Sequence, residues 1–242
     1  MLTELRKTLR RLEHTGPGDA GFLPFGIAPI DTMLGGGLAC GALHEIAAAS
    51  EGHIAAATSF VVGIASPRRA TVWITQDMAL VESGALCGAG LDETSHYPER
   101  FITVTVTRMH DLLWAMEEAL RCCAVMTVIG ELRNERIEPV ALRRLSLAAA
   151  ANGAVALLLR ATPDYKASTA ATRWIVNASL SQPRYGPGLP CINAQLIRNR
   201  KGPLGNWTLE WSDIDERFVI AGTNPQPVAQ PVANRPPRAA VA

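Results

Sequence analysis

Five short apolar runs separated by helix-patterned segments limit what this chain can fold into. They are Leu43–Ala47, Ala70–Thr75, Phe101–Val106, Val125–Ile129 and Ala154–Leu159. None shows clean in–out alternation, so each reads as a strand covered on both faces. The intervening spacing predicts helices from about His53 to Ala65, Met78 to Cys87, His110 to Arg121 and Pro139 to Ala151. Such alternation predicts a mostly parallel sheet between helices, in a doubly wound or related α/β fold. Beyond Arg160 the pattern changes. Ala161–Thr172 reads as a polar loop. Arg173–Leu180, Cys191–Arg198, Trp207–Trp211 and Phe218–Ile220 read as strands with no helix between them. They are expected to pair antiparallel and extend one edge of the sheet, with a hairpin turn at Arg200–Gly205.

The first strand and helix meet in Ala42–Ala57, where a parallel α/β protein would cradle a phosphate. A phosphate loop needs G-x-x-x-x-G-K-[ST]. The best register runs from Ala47 to Ile54 and supplies only Gly52. Ala47 stands at the first glycine, His53 at the lysine and Ile54 at the Mg²⁺-binding hydroxyl. Glu51 adds negative charge where phosphate would lie. His44 precedes Glu45, but position 48 is Ala48, so no H-E-x-x-H zinc pattern forms. His44 reads as a structural strand residue.

The 242 residues are 48% hydrophobic with a formal net charge of +1, which suits one α/β domain at residues 22–221. No global field favours nucleic acid or a membrane surface. The longest apolar runs are too short to span a bilayer, and a cytoplasmic protein without membrane contact is expected. The five cysteines include no C-x-x-C pair, and they read as small buried thiols. Residues 1–15 read as a helix, with Leu2, Leu5, Leu9 and Leu12 on one face and Arg6, Lys7, Arg10 and Arg11 on the rest. That stripe packs on its own domain or on a partner. Gly16-Pro17-Gly18 ends it. Residues 222–242 carry five prolines and no aromatic residue, and read as an extended or disordered tail.

The order of elements resembles the RecA family, and within it the ImuA family of accessory factors in damage-induced translesion synthesis. The lead-in PFGIAPIDTMLGGGLACGALHEI, Pro24 to Ile46, is similar to the family's short helix, glycine run and Glu-Ile strand. Trp73–Leu80 resembles its second strand and the following helix start, which implies Asp77 at the place of the catalytic glutamate. Asp111–Leu132 resembles the helix and strand that end in the Mg²⁺-supporting aspartate. The resemblance implies Gly130 at that position, followed by Glu131. Ser168–Trp174 is similar to the final core segment. The loops that hold DNA in the family correspond to Leu132–Pro139, with Arg133 and Arg136, and to Ala161–Thr172, with Lys166 and Tyr165. Arg184, Arg198, Arg200 and Lys201 gather later and suit phosphate, an acidic partner or plain solvent.

The expectation is a RecA-like core that has lost hydrolysis. It would carry no cofactor or metal and act as a non-catalytic adaptor through protein contacts. The resemblance implies an ImuB-type Y-family polymerase relative, an error-prone replicative-type DNA polymerase and RecA as partners, with at most weak DNA contact. Two alternatives stand beside it: a nucleotide-dependent recombinase-like ATPase with a degenerate loop, and a cell-division inhibitor resembling the SulA group.

Overall fold

Strand β3, Ala42–Ala48, lies inside a nine-stranded sheet because its residues are apolar enough to be covered on both sides. The computed structural model describes residues 21–65, 69–93, 98–133, 136–181 and 188–222. The helix read over 1–15, the tail beyond Gly222 and Arg184 lie outside the described residues. A short lead-in ladder pairs β1, Phe22–Leu23, with β2, Leu38–Ala39. The remaining strands are β4 (Ala70–Gln76), β5 (Phe101–Val106), β6 (Val125–Leu132), β7 (Val155–Arg160), β8 (Thr172–Ala178), β9 (Cys191–Asn199), β10 (Gly205–Ser212) and β11 (Arg217–Ile220). Their spatial order is β11-β10-β9-β8-β3-β7-β6-β4-β5. Every pairing from β8 to β5 is parallel, and every pairing from β8 to β11 is antiparallel.

Helices cover both faces. They are α1 (Ala28–Leu34), α2 (Ile54–Ile64), α3 (Asp77–Ser83), α4 (Gly88–Glu93), α5 (Met109–Leu120) and α6 (Pro139–Asn152). One face of the sheet packs with α1 and α2. Its centre is an aromatic cluster in which Trp174 lies 5.5 Å from Phe25, 5.4 Å from Phe60 and 5.8 Å from Trp207. The other face packs with α5 and α6 through Leu112, Met116, Leu120 and Leu145, all fully buried. Gly37 lets the lead-in fold tightly over the first face. It holds φ +126°, and a Cβ there would sit 2.3 Å from the Leu23 carbonyl oxygen.

Three sequence expectations are corrected. The helix expected from Met78 to Cys87 ends at Ser83, because Gly84, with φ of 78° and ψ of 175°, leaves the helical region, and a separate helix, α4, starts beyond Cys87 at Gly88. The strand expected to open an antiparallel run is the pivot of the sheet. β8 runs parallel to β3 and antiparallel to β9. Arg160 at the end of β7 is level with Ala47, and Thr172 is level with His44. The loop therefore drops back by only about 10 Å, three residues of strand, and needs no crossover helix. Finally, Cys40 and Cys191 are buried, but Cys87, Cys122 and Cys123 are exposed.

His44 is structural in an identifiable way. Trp174 Nε1–H donates to Thr172 Oγ1 at 3.0 Å. Thr172 Oγ1 in turn lies 2.8 Å from His44 Nδ1, and His44 Nε2 lies 2.9 Å from the Ala39 carbonyl oxygen. The chain closes if Thr172 donates to Nδ1 and Nε2 carries the proton. Burial pushes the His44 pKa down from 6.5 to about 4, against the Ala39 carbonyl, which favours the charged form. The unfolded chain therefore takes up this proton first as pH falls. Stability is full above about pH 6.5 and drops by on the order of 3 kcal/mol as pH falls towards 4. Urea unfolding at stepped pH is expected to show that slope, and His44→Gln is expected to flatten it.

Candidate functional site

Between β3 and α2 the chain makes an open turn rather than a cradle. Ser50 is extended, with φ −156° and ψ 170°, and Glu51–His53 forms a single 3-10 turn. No residue from Ala49 to His53 has positive φ. A phosphate nest requires alternating right- and left-handed residues, so that successive N–H groups converge. Here the Ala49 amide donates to the Val176 carbonyl at 2.8 Å and the His53 amide to the Ser50 carbonyl at 2.9 Å. Ala47 is buried within β3, paired with Arg160 and Ile175. Gly52 sits in the 3-10 turn with negative φ. The His53 ring points sideways, where Nδ1 accepts the Ala178 amide at 3.2 Å. Ile54 packs onto the aromatic-side core.

Gly130 and Glu131 lie on opposite faces of β6. Strand β6 continues to Leu132, and Val128 and Leu132 belong to the α5–α6 face. Gly130 lies on that same face, where a Cβ would meet Met116 Sδ at 2.2 Å. The carboxylate on the α2 face is Glu131. It lines a cleft of about 270 Å³ together with Ile54, Ala55 and Thr58 of α2 and with Trp73 and Thr75 of β4.

That carboxylate is already engaged. Trp73 Nε1–H and Thr75 Oγ1–H donate to Glu131 Oε2 at 3.2 and 3.1 Å. Arg133 Nη2 pairs with Glu131 Oε1 at 3.2 Å. Arg133 also donates to Ser83 Oγ at 2.6 Å and to the Ala79 carbonyl at 3.3 Å, and its Nε lies 3.6 Å from Glu82. The positive charge beside this carboxylate is thus the chain's own guanidinium, only 15% exposed. Arg133, read from sequence as a candidate nucleic-acid or partner contact, is held by Glu131, Ser83 and the Ala79 carbonyl. Asp77 starts α3, its Oδ1 accepting the Met78 amide at 2.7 Å, and it does not line the cleft. Among the described residues no group of three or more His, Cys, Asp or Glu is gathered as a metal site.

The other basic residues meet at the loops after β6 and β7. Arg136 and Lys166 line a cleft of about 240 Å³ with Arg160, Arg173, Glu45 and Asp164. Sequence reading missed its framework. Arg173 Nε pairs with Glu45 Oε2 at 2.8 Å, with both side chains 10% exposed or less. Ser168 donates to the other Glu45 oxygen. Arg173 Nη1 and Arg198 Nη1 hold the Lys166 and Ser168 carbonyls at 2.9 and 2.8 Å. The Lys166 amide and then the Arg160 charge hold the Asp164 carboxyl below its usual range. Arg200 and Lys201 are exposed in the β9–β10 turn, where the Arg200 amide donates to the Ala171 carbonyl at 3.0 Å. The cleft has no aromatic lining, and Tyr165 beside it is 77% exposed.

Sheet order, the α2 junction and the antiparallel edge define a RecA-like α/β fold. The solved structure of the RadB recombinase has this fold: it aligns with 83% of this chain and all of its own, at a TM-score of 0.59 and 14% identity. No protein-family model and no curated protein matches the sequence. Among the described residues, no helix is long and apolar enough to cross a membrane.

Proposed function

We propose that this chain is a non-catalytic RecA-like adaptor of damage-induced translesion synthesis, a member of the ImuA type. The observation that carries the non-catalytic half is the β3–α2 turn. Its Ala49 amide is bonded to the Val176 carbonyl and its His53 amide to the Ser50 carbonyl, the His53 ring is tied to β8, and Ile54 offers no ligand to Mg²⁺. The Glu131–Arg133 ion pair supports the same reading. Losing one charge-assisted contact costs about 1.5–3 kcal/mol, and here the lysine, the hydroxyl and a free acidic ligand are lost together.

The RecA-like fold and the family resemblance support the adaptor half. The proposed partners are an ImuB-type Y-family polymerase relative, an error-prone replicative-type polymerase and RecA. Arg136, Lys166, Arg198, Arg200 and Lys201 would form a shallow basic rim for an acidic partner surface or a weakly held DNA backbone. Affinity purification of the full chain from DNA-damaged cells is the test. Both polymerases are expected to co-purify, and Arg200→Glu/Lys201→Glu is expected to lower their yield at least several-fold. Recovery of neither polymerase above an untagged control would remove the adaptor role.

A further inference from the structure

One face of α2 borders open space along most of its length. The Glu131 cleft touches it at Ile54, Ala55, Thr58 and Ser59, and a second cleft, of about 530 Å³, at Thr58, Ser59 and Val62. The two also share Leu86 and Cys87, so they form one trough, about 12 Å long from Ile54 to Val62. Its α2 side is small-sided, which lets another helix axis lie within about 8–10 Å. Its deep wall is apolar: Val62, Leu91, Trp211 and Phe218. At its mouth stand Asp213 and Glu216, in the turn between β10 and β11. Among the described residues, neither lining includes a Lys, Arg or His. The same turn holds Ile214 out in solvent, 95% exposed. Arg217 beside it is engaged by Asp215 at 3.9 Å and by the Gly26 carbonyl at 2.9 Å. With Asp213, Asp215 and Glu216 against that one guanidinium, the mouth is negative.

We propose that this trough is a docking groove for an amphipathic helix of a partner protein, one whose apolar stripe is flanked by Lys or Arg. Charge and shape both select that occupant. A helix laid along α2 places apolar residues at i, i+3 or i+4 and i+7 against Trp211, Phe218 and Leu91, and covers Ile214 at the mouth. Its cations then meet Asp213 and Glu216, whereas an acidic helix of the same apolar stripe brings like charges together. Anchors in the apolar wall supply affinity, and the acidic mouth supplies orientation and selectivity. The inference rests on the adaptor reading for the source of the helix, but the groove itself is tested without any polymerase. Failure of the groove therefore leaves the affinity purification to decide the adaptor role.

Fluorescence anisotropy on the full chain tests it. The probe is a labelled synthetic helix of about four turns, with leucine at i, i+3, i+4 and i+7 and lysine elsewhere. Its control carries glutamate in place of every lysine. The lysine peptide is expected to bind saturably, and the glutamate peptide roughly ten-fold or more weakly by comparison. Ser59→Trp, a change at an exposed position, fills the trough and is expected to weaken lysine-peptide binding roughly ten-fold or more, with far-ultraviolet circular dichroism unchanged. Asp213→Lys/Glu216→Lys is expected to weaken it roughly three- to ten-fold, and added salt to weaken it further. Absence of saturable binding at every chain concentration would overturn the proposal. So would equal binding by Ser59→Trp, or glutamate-peptide binding as tight as that of the lysine peptide. Binding that emerges only when the chain is diluted would also overturn it, by marking a second copy as the occupant.

Discussion

Gly130→Asp is expected to unfold the protein rather than to supply a metal ligand. A Cβ at position 130 would meet Met116 Sδ at 2.2 Å, Met116 Cε at 3.0 Å and Leu112 Cδ2 at 3.1 Å. Met116 and Leu112 are both fully buried. Gly130→Ala alone should therefore force α5 to shift, at about 1–3 kcal/mol. Aspartate adds a carboxylate among Leu112, Met116 and Val128 with no charge partner, a further cost of several kcal/mol. Small domains have only about 5–15 kcal/mol in total. Urea unfolding should show Gly130→Ala cooperative with a lower midpoint, and near-ultraviolet circular dichroism should show Gly130→Asp without fixed packing. A folded Gly130→Asp protein would mean that position 130 faces α2 after all.

Arg173→Ala is expected to cost about 3–5 kcal/mol, because it strands the Glu45 carboxylate in the sheet. Only Ser168 would remain on that carboxylate, and the Lys166 carbonyl would lose its donor. The effect belongs to the unpaired charge rather than to the net worth of the pair. Glu45→Leu/Arg173→Met, which removes both charges and keeps volume, should recover most of the loss. Urea unfolding of the two single variants and the double measures this directly. A loss below about 1 kcal/mol for Arg173→Ala would be the value of a surface pair and would contradict the buried geometry.

Much of the core was legible because its signals are local. Runs such as Ala154–Leu159 can only be strands covered on both faces, and α5 and α6 begin and end within two residues of expectation. What escaped depends on distance and parity. Gly130 and Glu131 are neighbours on one strand, so a one-residue choice sends the carboxylate to opposite faces. Leu132 was the available signal: an apolar residue after Glu131 extends the strand and puts Gly130 on the Val128 face. Glu45–Arg173 joins residues far apart in sequence, and nothing near either one announces the other. The direction of β8 likewise followed from where Thr172 meets His44, a pairing that local pattern does not encode. The β3–α2 turn was legible only as missing residues; its geometry adds that the backbone itself does not converge on a phosphate.

Calorimetric titration of Mg-ATP into the full chain, paired with a phosphate-release assay, probes that turn most directly. The predicted result is no saturable binding up to millimolar nucleotide, and no phosphate release beyond that of a His53→Ala variant. Saturable binding below millimolar, with hydrolysis that His53→Ala abolishes, would contradict it and make this chain a nucleotide-dependent RecA-like enzyme.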